Sequence, residues 1–429
     1  MREPEPSQQV SEITQAAEPE APAPQPPAPH MFRALRHPPY RRFWAGNFLS
    51  NVGTWMQNLA QGWLVLQLTN SPFLLGLVGF TTWSPVLLFT LVGGVIADRA
   101  DRRRMMMWTQ SGLMTLAVLL AGLTSLGVVN IVHIVILTFL SGVAASLNAP
   151  AYQASVPDLV PEQDLTNAIA LNSAQFNLSR VIGPALAGWA MSWVGVAGCF
   201  YLNAASFLAL LFVLTRIRFP ARRPHPHANQ IWRPLRDAFA YIHHRPMLRT
   251  LILMVALASA CGMPYAVLMP VFARDILGKG PLELGYLMGA AGLGALLGAL
   301  LMAWRGDRPG KGAFALRSAL VFYASLIAFA FSRRFDLSLL ALAFTGAAMV
   351  SAVATVNNLL QKHVAAEMRG RIMAMHSMAF LGFAPVGSLI AGALAEHTGA
   401  PLALASLCAL ALLITAAVWT SHREVRELA

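Results

Sequence analysis

The 429 residues are 56% hydrophobic and only 12% charged, with a mean hydropathy of +0.56, which excludes an ordinary soluble domain and indicates a polytopic membrane protein. The formal net charge of +12 is dispersed through short segments between apolar runs, a distribution that fits orientation in a bilayer and contact with anionic lipid, not nucleic acid. Cys199, Cys261 and Cys408 lie far apart inside apolar runs, so neither a disulfide framework nor a thiolate metal site is expected.

Residues 1–31 are polar and rich in Pro, Ala and Glu; they cannot bury a core and read as a disordered tail without a cleavable signal. Apolar runs then recur at 43–68, 73–97, 105–127, 131–155, 166–193, 196–214, 247–273, 282–304, 313–331, 337–360, 371–395 and 401–420. Each approaches the ~20 residues that cross a bilayer, so the expected fold is all-α with twelve transmembrane helices. The one long connection, 215–249, divides a bundle at 32–214 from a second at 250–420, and 421–429 form a closing tail. Within that connection Trp232–His244 has apolar residues at helical spacing beside Arg233, Arg236 and Asp237, the pattern of an amphipathic helix at the membrane surface. His225 and His227 lack further ligands nearby, so no metal site is expected, and no cofactor.

Of the 31 Lys and Arg residues, 26 fall on one side of this topology and four on the other, which predicts that both termini are cytoplasmic. The halves also echo one another. Gly183, Gly188 and Gly195 recur 204 positions later as Gly387, Gly392 and Gly399, and Phe176 as Phe380.

In the first span Asn47, Asn51, Thr54, Asn58 and Gln61 step down one helix face with Ser50 and Gln57 alongside. An unsatisfied amide is costly in hydrocarbon, so this stripe must meet other helices or water. Interhelical contact is one reading and a wet cavity the other. Further polar positions lie on span four (Ser146, Asn148, Tyr152, Gln153), span seven (Ser259, Tyr265) and span ten (Ser351, Thr355, Asn357, Asn358, Gln361). Trp55, Trp63, Phe80 and Trp83 would supply aromatic walls.

Between spans two and three the chain reads GGVIADRADRRR, Gly93 to Arg104, with six charges in a very short loop. Gly94, Ile96, Ala97, Asp98, Arg99, Arg102 and Arg103 resemble the loop signature of the major facilitator superfamily. Asp101 stands where that signature usually has glycine, a departure seen in the branch that resembles enterobactin exporters and macrolide-efflux proteins. In span five SRVIGPALAG resembles the exporter-associated motif, keeping Gly183, Pro184 and Gly188, with Ser179 and Ala187 in two glycine places. The stretch 150–161 also resembles that branch. The fourth-span arginine motif is absent, its place taken by Thr138 to Gly142.

The resemblance implies two six-helix bundles that rock about a central cavity. It further implies an inner gate at Gly94, Asp98, Arg99, Arg102 and Arg103, with Asp98 facing the start of span eleven near Arg369 to Arg371, and a bend at Gly183, Pro184 and Gly188. The cavity would be lined by Asn47, Asn51, Thr54, Gln57, Asn58, Gln61, Tyr152, Tyr265 and Asn357. The expected function is proton-driven export of a small organic molecule, such as a siderophore or hydrophobic drug, by a monomer in a bacterial inner membrane. An importing symporter would be expected to bury an acid–base pair, which is lacking. A non-transporting sensor would not need the polar stripe, and an enzyme would need a catalytic cluster that is not found. Arg180 is the one basic residue within a span, some 22 Å deep, and is read either as a hydrogen-bond hub or as an attraction for an anionic cargo. No carboxylate lies inside a span; Asp98, Asp158, Glu283, His133 and His376 are the candidate proton carriers.

Overall fold

A computed structural model describes residues 32–99, 101–217, 219, 232–306 and 308–428, and only the backbone of 90–99 and 232–235. The tail 1–31, the histidines at 225 and 227 and the side chains of Asp98 and Arg99 therefore lie outside the described residues, and Gly94 is described by its backbone path alone. Among the described residues, ten helical runs are long and apolar enough to span a membrane. The longest, Glu162–Arg216, breaks at Gly195, whose φ of 69° only glycine adopts freely, so it supplies two spans. One further helix, Pro38–Thr69, is too polar along its amide stripe to reach the same hydropathy. Together these make twelve.

We label the spans α1 (Pro38–Thr69), α2 (Pro72–Arg99), α3 (Arg102–Ser125), α4 (Ile131–Ser155), α5 (165–194) and α6 (196–216) in the first half. The second half contains α7 (Pro246–Ile276), α8 (Pro281–Arg305), α9 (Lys311–Phe331), α10 (Phe335–His363), α11 (Ala366–Thr398) and α12 (Ala400–Ser421). The end of the bundle that holds the α2–α3 turn and the final helix Arg423–Arg426 is called the tail face here; the α1–α2 and α7–α8 turns lie on the far face. α7 is not regular. It widens into π-turns at Ala258–Gly262 and Phe272–Ile276, and Ser259 hydroxyl there donates to the Phe380 carbonyl of α11.

Within the first half α1 packs on α5 and α6, α2 on α4, and α3 on α4 and α6. The halves join along two seams, α2 with α11 and α5 with α8. Both seams are built from glycine. A Cβ on Gly76 would lie 2.9 Å from the Gly392 Cα and 2.5 Å from the Ser388 carbonyl oxygen; one on Gly188 would lie 2.9 Å from the Gly285 Cα and 2.8 Å from the Pro281 oxygen. The sequences repeat accordingly, with Pro72 and Gly76 opening α2 as Pro281 and Gly285 open α8. With no side chain at the crossing the backbones touch, which is how helices associate where lipid offers no hydrophobic drive.

The seams close the far face, and charges brace it. Glu396 of α11 accepts hydrogen bonds from Ser71 hydroxyl at 2.8 Å and from Phe73 N–H at 3.0 Å, capping α2 from the opposite half. Arg274 of α7 donates to the Leu66 carbonyl near the end of α1 at 3.1 Å. Each charge meets the helix end of opposite polarity. On the tail face, Asp164 holds both Arg33 and His37 at 2.7 Å, and Tyr40 hydroxyl donates to the Ala168 carbonyl at 2.8 Å. The surface helix Trp232–His243 buries Ala238 and Ile242 and joins α11 through Asp237 and Arg371 at 2.9 Å.

Replacing Gly392 by Val should force α2 from α11, because the new Cβ would sit 2.8 Å from both the Gly76 Cα and the Pro72 oxygen. Such overpacking costs about 1–3 kcal/mol. The expected readout is a lower apparent melting temperature of the purified protein, together with a longer spin-label distance between positions 70 and 398. An unchanged distance would mean that the far face does not close through this contact.

Candidate functional site

The amide stripe of α1 looks into open space. Asn47, Asn51, Thr54, Gln57, Asn58 and Gln61 all line one cavity of about 210 Å³, enclosed by α1, α2, α3, α4 and α6. Asn47 and Asn51 also border a wider one of about 660 Å³ between α1, α4 and α5, where Asn148, Tyr152, Gln153, Asn172 and Asn177 complete a wall rich in carboxamides. Trp55, Asn58 and Gln61 reach a third of about 140 Å³, completed by Trp83 and Pro184 and, from the second half, by Ala266, Val267, Pro270 and Met288. The first shares α1 residues with each of the other two, and together they form a stepped vestibule from the tail side to beneath the closed seams.

The amides of the stripe are used differently. Gln61 donates to Thr138 hydroxyl at 2.9 Å, and Gln57 accepts from Asn203 of α6 at 2.7 Å. Thr138 thus fills the place of the missing fourth-span arginine by receiving an α1 amide. Asn148 accepts from Thr109 at 3.0 Å, and Thr54 donates to its own helix at the Ser50 carbonyl. Asn51 and Asn58, by contrast, make no side-chain hydrogen bond to the described residues. Their amides are left to whatever fills the vestibule. Gln110 Oε1 and the Tyr152 hydroxyl are buried and also lack a partner, the Tyr152 ring being stacked on Phe43 at 5.1 Å.

The span-five motif divides its residues between two duties. Gly183 lets α5 close on α1, where a Cβ would lie 2.5 Å from that of Trp55; Gly188 forms the seam, and Pro184 lines the vestibule. Gly183, Pro184, Ala187 and Gly188 are buried, whereas Ile169, Ser173, Phe176 and Asn177 toward the tail face are exposed and line the wide cavity. Arg180 sits between these sets.

Tyr265 is buried on α7. Asn357 accepts from Gln361 on its own helix at 2.7 Å and is not among the residues lining the three connected cavities. Asn358 instead holds the buried Lys311 at 2.8 Å. Of the gate residues with described side chains, Arg102 bonds the Ala154 carbonyl at 2.6 Å and Asp158 at 3.1 Å, and Arg103 donates to the Leu214 carbonyl at 2.7 Å. Both contacts stay within the first half. His133 caps α4 with Asn130, Glu283 caps α8 at Gly280, and His376 is buried with Nε2 unpaired.

Reasoning from sequence missed Asn203, Gln110 and the braces Glu396 and Arg274. The signal was present in the first two, each a lone amide in the middle of an apolar run. The braces carry no sequence pattern, because each acts on a backbone end supplied by the other half.

Solved structures share this architecture. A bacterial homologue of the human lysosomal transporter Spinster, in an inward-facing and occupied conformation, superposes with a TM-score of 0.73 at 12% identity, covering 92% of this chain and 98% of that one. The nucleoside transporter NupG gives 0.71 at 16% identity over 90% and 99%. The fold is that of a major facilitator transporter. The family model described as transmembrane secretion effector matches residues 30–428, and the chain belongs to that family. The multidrug efflux pump Tap of Mycolicibacterium fortuitum is 26% identical over 88% of this chain and 94% of its own length. The enterobactin exporter EntS of Shigella boydii is 28% identical over 88% and 90%. The staphyloferrin A transporter of Staphylococcus aureus is 28% identical over 61% of this chain and 66% of its own.

Substituting Asn203 by Leu removes the donor to the half-buried Gln57 carbonyl, a net hydrogen-bond loss of about 0.5–1.5 kcal/mol. A lower apparent melting temperature is expected in the single variant, with much of the loss recovered in the Asn203→Leu, Gln57→Leu double variant. Additive losses in a double-mutant cycle would show that the two amides are not coupled.

Proposed function

We propose that this transporter exports a small organic molecule, of the siderophore or hydrophobic-drug kind, across a bacterial inner membrane by alternating access. The protein works as a monomer with both termini in the cytoplasm, driven by protons. One observation carries the reading: the glycine seams shut the far face while the amide-lined vestibule widens toward the tail face. With the tail face cytoplasmic, as the 26-to-4 distribution of Lys and Arg favours, this conformation is ready to load from inside. Two of the relatives named above, an exporter and an efflux pump, support the same direction. In the loaded transporter Asn51 and Asn58 supply hydrogen bonds to cargo, and Trp55 and Trp83 an apolar wall. Gln57 and Gln61, already paired with Asn203 and Thr138, hold the vestibule in shape.

Rocking must open the seams and close the tail face. For that closed state we assign the latch to Asp98, facing the N-terminal end of α11, where negative charge is favoured. Arg102 and Arg103 hold the ends of α3, α4 and α6 together so that the first half moves as one body.

Everted vesicles from cells producing the protein should accumulate siderophore or drug on energisation and release it with a protonophore; absence of energised uptake across such a panel would sink the export reading. The Asp98→Asn variant should reach the membrane in normal amount and lose at least about tenfold in uptake rate, the effect of about 1.4 kcal/mol on the closed state. Normal uptake by that variant would remove Asp98 from the latch.

A further inference from the structure

Export, on which this inference rests, leaves the chemical class of the cargo open, and Arg180 narrows it. The residue stands about 22 Å along α5 from Leu165 at 1.5 Å per residue. Its place on the helix is set by its neighbours. Ser173, Phe176 and Asn177, seven, four and three positions earlier, line the wide cavity, and Pro184, four later, lines the upper one. Such positions share a helix face, so Arg180 stands on the α5 face that borders the vestibule, between the linings of the wide and upper cavities and in neither. Val181, Ala185 and Gly188, on the flank adjoining that face, pack against α8.

The guanidinium has five N–H donors and no acceptor, and it stays charged. Among the described residues it makes neither a hydrogen bond nor an ion pair. The vestibule walls provide carboxamides, hydroxyls and aromatic rings, and among the described residues no carboxylate lines any of the three cavities. An uncompensated cation at this depth is costly, and a neutral amide wall does not cancel its charge. What would cancel it is an anion that arrives with the cargo.

We infer that Arg180 is the anchor for an acidic group of the transported molecule, which is an organic anion. Its oxyanion takes two parallel N–H donors from the guanidinium. Its apolar body lies toward Trp55, Trp83 and Phe176, and Asn51 and Asn58 bind its remaining polar groups. Pairing neutralises the vestibule, so the loaded protein carries less uncompensated charge through the rocking step than the empty one does.

Two dyes with a common xanthene frame and opposite charge, carboxyfluorescein and rhodamine 123, test the assignment on purified full-length protein by fluorescence polarisation. The native protein should bind the anionic dye at least about tenfold more tightly than the cationic one, the worth of one charge-assisted hydrogen-bonded pair. The Arg180→Gln variant should lose that preference. Arg180→Lys should keep at least about a third of it, since the charge remains without the planar fork. Equal, reversed or absent preference in the native protein overturns the inference, as does an undiminished preference in Arg180→Gln. If Arg180→Gln does not fold, the native preference and the lysine variant still decide. Energised uptake of the same dyes into everted vesicles separates the two readings: preferential binding without uptake would count against export and leave the anchor standing, and uptake insensitive to charge and to Arg180→Gln would remove the anchor alone.

Discussion

A carboxamide placed in hydrocarbon must find a hydrogen-bonding partner or water, and the first span of this protein carries more amides than its neighbours can satisfy. That excess organises the site. Gln57 and Gln61 are met by Asn203 and Thr138 and so tie α1 to α6 and α4. Asn51 and Asn58 are met by no described side chain, and the helices around them stand apart to leave a vestibule. The same stripe thus supplies both the glue of the first bundle and the polar lining of its cavity.

The two halves obey a different constraint. Inside a bilayer apolar side chains gain little by leaving lipid for one another, so firm contact requires close backbone approach. Gly76 against Gly392 and Gly188 against Gly285 provide it at two related crossings. A contact of this kind has little breadth. It is supplemented at the far face by Glu396 on the start of α2 and Arg274 on the end of α1, charge-to-helix-end contacts that water can replace when the halves part. A seam made of bare backbone and solvent-replaceable caps closes firmly and yet separates without exposing a large apolar surface, which suits a transporter that must alternate.

The spans and their number were legible because hydrophobic length is a one-dimensional property. The break at Gly195 was legible for the same reason, since it separates two apolar runs. The stripe on α1 could be read from helical periodicity, although not whether it met helices or open space. Pattern was less informative in the second half. The polar residues of α10 resemble those of α1 on paper, yet Asn357 is spent on Gln361 and Asn358 on Lys311, and the vestibule wall on that side is apolar.

By itself, then, the sequence determined the class of molecule, the spans, the side on which positive charge gathers and the presence of a polar stripe and a lone deep cation, since each depends on composition or on spacing along one helix. Only the tertiary structure decided which amides are paired, that the far face is the closed one, and that Arg180 shares a helix face with the vestibule lining. Those outcomes depend on contacts between helices distant in the chain: Asn203 reaches Gln57 and Glu396 reaches Ser71 across separations that no local pattern encodes.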